Sequence, residues 1–137
     1  MAKLSAKDLE YRHEGNSVSL INFHFVFVPK RRRPVLVRGI GDRAQEIMFE
    51  VAVQNKWRIL SLGIQPDHIH LLVNVTVNDS AAKVAHRFKG RLSHDLRIEF
   101  EWLKKLPSMW TPSYFVGSVG NVSTAIVRQY IESQTGK

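Results

Sequence analysis

Apolar and polar residues alternate along residues 20–28 (LINFHFVFV): Ile21, Phe23, Phe25 and Phe27 fall on one face, Asn22 and His24 on the other, and Pro29 closes the run. Alternation with this load of aromatic and β-branched side chains predicts a half-buried strand. The period then changes. Over 42–55, Ala44, Ile47, Met48, Val51 and Ala52 recur at steps of three and four, a helical stripe with Asp42 placed as N-cap. Strand spacing returns over 57–63 and, past a Pro66-Asp67 turn, over 68–77; so tight a link predicts an antiparallel hairpin. Asp79 or Ser80 starts a longer helix with Ala85, Phe88, Leu92, Leu96 and Phe100 on one side. A fourth strand lies within 110–119, entered through Thr111-Pro112-Ser113, and Asn121 caps a terminal helix, 121–134.

The order is β-α-β-β-α-β plus a helix. This predicts an α+β, ferredoxin-like split βαβ fold: a four-stranded antiparallel sheet with two helices on one face. Its other face needs a cover, which the C-terminal helix can provide. No repeat or linker divides the chain, so a single domain over 1–137 is expected, with 1–17 as a polar N-terminal arm. Many activities use such a sheet, so function must come from side chains.

Composition narrows the field. Apolar residues make up 44% and charged residues 23%, which is globular rather than disordered. There is no cysteine, so disulfides, thiolate zinc sites and cysteine nucleophiles are excluded. No apolar run approaches a membrane span, and residues 1–12 mix charges instead of forming a signal peptide, so no membrane partner and a cytoplasmic residence are expected. The formal charge of +8 favours a polyanionic partner, nucleic acid first.

His68-Ile69-His70 opens the third strand. Residues two apart share a face, so both imidazoles project together, away from Ile69, Leu71, Val73 and Val75. Such a pair can chelate a divalent cation, or it can simply hydrogen-bond at a strand start. The chain has no His-Glu-x-x-His helix, and His70 is followed by Leu71-Leu72 where a phosphoesterase of the His-x-Ser/Thr type needs a hydroxyl.

On the last helix, Tyr130 and Gln134 are one turn apart and share a face with Val122 and Ile126. An aromatic in an amphipathic helix commonly packs into the core. Beside a cation, though, a phenol is a usable nucleophile. Attack on a DNA phosphodiester would leave a phosphotyrosine and a 3′-hydroxyl, a nearly isoenergetic exchange that needs no ATP. No G-x-x-x-x-G-K-[ST] loop is present, consistent with that. Two imidazoles and an amide oxygen are neutral ligands that suit Mg²⁺ or Mn²⁺, the latter tolerating imidazole better.

These segments resemble the HUH-type single-tyrosine transposases of small bacterial insertion sequences. The likeness spans 23–134: FVFVPKRRRPVL, the metal motif PDHIHLLV, KGRLS, WTPSYFVGSVGNVS and VRQYIESQ, in that order. The repeat-associated tyrosine transposases share parts of it. The resemblance implies that His68, His70 and Gln134 bind the metal and that Tyr130 attacks. It further implies single-stranded DNA with hairpin ends as substrate and a homodimer, in which one subunit's tyrosine helix can complete the other's metal site. Gly117 and Gly120, before that helix, read as a hinge or as an ordinary strand-to-helix turn.

Two basic segments are candidate phosphate contacts: Lys30, Arg31, Arg32 and Arg33 after the first strand, and Lys83, Arg87, Lys89 and Arg91 on the second helix. A solvated helix face is the plain alternative for the latter. Trp110, Tyr114 and Phe115 can stack on bases, although core packing is expected for at least two. The leading expectation is an insertion-sequence transposase cutting and rejoining single-stranded DNA through a 5′-phosphotyrosine with divalent-metal assistance. Its rivals are an HUH replication-initiator or relaxase-like nuclease and a non-catalytic nucleic-acid-binding module on the same kind of sheet. The last expects stacking aromatics, not histidines, on the open face.

Overall fold

The structure, a computed structural model, describes residues 11–134, without the side chains of residues 121 and 122. Strands β1 (Arg12–Glu14) and β2 (Ser17–Ser19) form a small hairpin, followed by β3 (Ile21–Phe27), α1 (Gly39–Asn55), β4 (Arg58–Gln65), β5 (His68–Val75), α2 (Ala81–Glu99), β6 (Phe115–Val119) and α3 (Asn121–Gln134). Short 3-10 turns occupy Lys30–Arg32 and Glu101–Lys105. The main sheet runs β4-β5-β3-β6, every pair antiparallel. That order is the ferredoxin-like one, and the fold is α+β as the periodicity indicates.

The core lies between the sheet and α1 and α2. Phe25 and Phe27 of β3 and Ile69, Leu71 and Val73 of β5 are fully buried beneath Ala44, Ile47, Met48, Phe88, Leu92 and Leu96. The opposite sheet face carries α3, whose Ile131 packs on Leu60 and Leu72. Alternation along β5 therefore sends its odd-numbered residues to the helix layer and His68, His70, Leu72 and Asn74 to α3.

Several boundaries differ from the sequence reading, each for a local reason. Helix α1 begins at Gly39, so Asp42 is in its first turn instead of capping it, where its carboxylate still complements the helix dipole. The buried Ile40 extends the apolar stripe by one turn; the glycines on either side of it read as breakers. At Gly41 a side chain would meet the Leu36 carbonyl at 3.1 Å, so a close approach of backbone explains that glycine. Strand β5 ends at Val75 because Asp79 folds back to accept from the Thr76 amide at 3.0 Å. The 110–114 stretch forms no strand: Trp110 makes an isolated bridge to Pro29, and the Thr111 amide donates to the Val28 carbonyl at 3.0 Å. In β4 a bulge at Leu60 shifts the register between Ile59 and Ser61, which turns Leu60 toward α3 while Ile59, Leu62 and Ile64 face the helix layer.

Of the N-terminal arm, residues 12–19 form the β1–β2 hairpin, turned at Gly15 with φ +56°. Residues 1–10 lie outside the described residues, as does the side chain of the expected cap Asn121. Gly117 and Gly120 both have ordinary negative φ, so neither needs a glycine's left-handed freedom. Among the described residues no helix is long and apolar enough to cross a membrane.

Candidate active site

His68 and His70 project from the start of β5 onto the α3 face, their ring centres 4.9 Å apart and nearly perpendicular. Tyr130 meets His70 from α3 of the same chain: its ring stands edge-on, 5.5 Å between centres. The neighbouring Ile131 takes the buried position and anchors the helix, while Tyr130 keeps 49% of its surface. It is thus an exposed phenol held beside an imidazole, not a core aromatic.

Each imidazole has a partner on its Nδ1. His68 Nδ1 donates to the Asp67 carboxylate at 2.7 Å, and Asp67 is held in turn by Arg32 Nε at 2.9 Å. Those bonds from Arg32 and His68 hold the Asp67 carboxyl below its ordinary range. His70 Nδ1 lies 3.2 Å from His24 Nε2. Burial lowers the His70 pKa to about 4, helped by the nearby His68 and His24, so this ring is neutral and ligand-competent at physiological pH. Burial also lowers the pKa of His24.

Arg32 reaches Asp67 through an unusual backbone. Arg31 and Arg32 have φ of 56° and 55°, two consecutive left-handed L-residues in the turn that follows β3. Such positions are sterically costly and persist only where the surroundings dictate them. Here the turn folds the basic loop over the histidine end of the sheet. The exposed Arg31 and Arg33 flank that end.

Gln134 is one turn beyond Tyr130. Its main-chain carbonyl accepts from Gln65 Nε2 at 2.6 Å, and Gln65 pairs with His68 across β4–β5. The structure thus joins His68 to His70 and His70 to Tyr130 by ring contacts, and brings Gln134 to the same end of the sheet. Among the described residues, no three His, Cys, Asp or Glu side chains are gathered for a metal ion. The donors are instead two imidazoles whose Nδ1 atoms are engaged, leaving Nε2 for a ligand, a pair that fits a borderline divalent cation.

The second basic segment is elsewhere. Helix α2 covers the opposite face of the sheet, and its cations are already engaged: Lys83 with Asp79 (3.0 Å), Arg87 with Asn55 (2.6 Å), Lys89 with the Thr111 carbonyl (2.9 Å), and Arg91 with Glu50 (3.2 Å) and Asp95 (3.1 Å). Trp110 is buried, donating to the Lys89 carbonyl at 3.0 Å, and Tyr114 packs against Phe25 and Phe27. Phe115 alone of the three stays open, at 54%, edge-on to His24.

Two site residues escaped the sequence reading. The Pro66-Asp67 pair presents Asp67 as a turn residue, although a carboxylate directly before a histidine is a usual orienting partner. Alternation puts His24 on the polar face of β3, and spacing alone does not place it beside His70. The expected topology puts the first and third strands side by side, so topology and face together carried the signal. Glycines complete the surface: Gly63 pairs with His70 and Gly117 with His24, leaving the sheet bare next to both rings.

The fold recurs among proteins of known identity. A family model described as "Transposase IS200 like" matches residues 17–134. The ISDra2 transposase of Deinococcus radiodurans is 28% identical over 132 residues, 94% of either chain. The transposase for insertion sequence element IS200 of Salmonella typhimurium is 30% identical over 115 residues, covering 82% of this chain and 75% of that one. A crystal structure from Deinococcus radiodurans assigned as a transposase superposes with a TM-score of 0.74 at 29% identity, covering 90% and 97% of the two chains. A REP-associated tyrosine transposase bound to a REP hairpin has the same fold, with a TM-score of 0.62 at 14% identity over 88% of this chain and 68% of that one. The chain belongs to the IS200-like transposase family.

Proposed function

We propose that this transposase cuts and rejoins single-stranded DNA through Tyr130, with a divalent cation held by His68, His70 and Gln134. The observation that carries the reading is the half-exposed Tyr130 ring standing edge-on to His70, 5.5 Å between centres. Tyr130 Oη attacks phosphorus, the P–O3′ bond breaks, and the tyrosine keeps the 5′-phosphate. The phenolic proton passes to solvent, and the departing 3′-oxygen takes one up. Reversal by a 3′-hydroxyl rejoins the strand, and because one phosphodiester replaces another no nucleotide triphosphate is consumed. When bound, Mg²⁺ or Mn²⁺ supplies Lewis-acid polarisation of a non-bridging phosphate oxygen.

The chain's own residues supply the rest. Lys30, Arg31, Arg32 and Arg33 are on the histidine side and serve as phosphate contacts. Phe115 offers a stacking surface for an unpaired base. Contacts from Lys83, Arg87, Lys89 and Arg91 require DNA that continues round to α2. Hairpin-ended single strands are the substrate we favour, in keeping with the hairpin bound by the REP-associated relative. A homodimer and a cytoplasmic location belong to the same proposal. A pure binding module is disfavoured because α3, not a row of stacking aromatics, covers the sheet face. Membership of the transposase family separates the chain from replication initiators and relaxases.

Mn²⁺ titration of the purified chain tests the metal part. Saturable binding that falls at least about tenfold in His70→Ala is expected; equal binding by both proteins would remove the histidines from the metal's ligand set.

A further inference from the structure

We propose that His24 is a positioning residue for His70: it accepts the His70 Nδ1 proton and so fixes the tautomer that leaves Nε2 open to the metal. The proposal rests on the metal reading given above and adds a residue that acts through a ligand without being one.

The geometry is that of a hydrogen bond, not a face-to-face stack. The two rings are only 18° from parallel and their centres are 5.4 Å apart, yet His24 Nε2 and His70 Nδ1 approach to 3.2 Å. Rings stacked face to face would bring their centres closer than this relative to the atoms. Near-parallel rings whose nearest atoms are both nitrogens lie edge to edge, with one proton on the line between them. His70 is 6% exposed, so its Nδ1 has no ready alternative in solvent. Without an acceptor there, the ring is free to carry its proton on Nε2, the atom a cation needs.

Asp67 performs the same task for His68, and the two acceptors are unlike. A carboxylate on each histidine would put two negative charges behind the site and repel an incoming phosphodiester. Here the Asp67 charge is offset by Arg32 at 2.9 Å, and His24 adds none. His24 is itself held from outside by the Phe115 ring, 5.5 Å between centres, and faces Gly117 across the strand pair. The outer layer of the site is therefore electrically balanced while both Nδ1 protons are taken up.

Two measurements on the full chain decide the matter. In metal-free protein at neutral pH, long-range ¹⁵N–¹H correlation of the histidine rings should show the His70 proton on Nδ1, moving to Nε2 in His24→Phe. Mn²⁺ affinity should fall about 10- to 100-fold in His24→Phe and recover most of the loss in His24→Gln, whose amide oxygen accepts in place of the imidazole. A wild-type His70 proton on Nε2, or an unchanged affinity in His24→Phe, overturns the proposal. A loss that His24→Gln does not rescue also overturns it, in favour of His24 as a direct ligand. If the wild-type chain binds no Mn²⁺, the metal reading fails instead, and the ring-proton positions still decide the role of His24.

Discussion

Asp79 is a buried carboxylate that stays ionised because its surroundings are built for it. Burial pushes its pKa up, but hydrogen bonds from Thr76, Lys83 and Trp57 outweigh this and bring it down to about 2. Trp57 Nε1 donates at 2.7 Å and Thr76 Oγ1 at 2.6 Å, joining the end of β5 to the turn before α2. A carboxyl whose folded pKa is depressed stabilises the fold fully above its unfolded value near 4, and the contribution disappears as pH falls through about 2. Urea unfolding across this window should show about 2 kcal/mol of stability lost on acidification through this group. Asp79→Asn should remove a similar amount at neutral pH and flatten the acid limb; an unchanged limb would show that Asp79 is not its source. His70 is the opposite case: burial, helped by the nearby His68 and His24, lowers its pKa to about 4, no partner favours its charged form, and it is neutral.

Helix α2 shows how far local chemistry specifies an element. Ser80 has extended dihedrals and its Oγ accepts from the Lys83 amide at 3.1 Å, so the helix begins where a serine before an apolar stripe says it should. Ser80→Ala should cost about 1 kcal/mol in thermal unfolding without changing the fold; no loss would mean that the Asp79 turn alone sets the helix start. From β3 onward, element types and order were legible because each carried a clean period, two along β3 and β5 and three to four along α1 and α2; the short polar β1–β2 hairpin carried none. The misses arose where one signal masked another. Gly39 and Gly41 hid the first turn of α1 although Ile40 belongs to its stripe, and the Leu60 bulge broke the parity of β4. The pairing of His68 with His70 could be read directly from their spacing. The partnership of His24 with His70 depends on strand order, a nonlocal property that spacing alone does not contain.

A buried polar chain crosses the molecule from the N-terminal hairpin to the tyrosine helix. Arg12 Nε donates to Asn74 Oδ1 at 2.6 Å, Asn74 Nδ2 to Asn22 Oδ1 at 2.8 Å, and Asn22 Nδ2 to Thr124 Oγ1 at 3.2 Å. Thr124 closes the chain on the Gly120 carbonyl at 2.6 Å, at the entry to α3. Satisfied networks of this kind select one arrangement of the parts they join, and here the part selected is the helix that delivers Tyr130. Charge is distributed unequally over the same frame: Arg31 and Arg33 are exposed beside the histidines, whereas Arg87 and Arg91 are engaged on the far face. Arg31→Ala with Arg33→Ala should therefore weaken hairpin-DNA binding and lower its salt slope by about 2, and Arg87→Ala with Arg91→Ala should do less; the reverse ranking would move the DNA path to α2. The most direct test of the mechanism is denaturing electrophoresis after incubation with Mn²⁺ and a single-stranded hairpin substrate. The wild-type chain should give a detergent-resistant protein–DNA adduct that mass spectrometry maps to Tyr130, and Tyr130→Phe should bind the DNA but form none. An undiminished adduct in Tyr130→Phe would contradict the assignment of that tyrosine as the nucleophile.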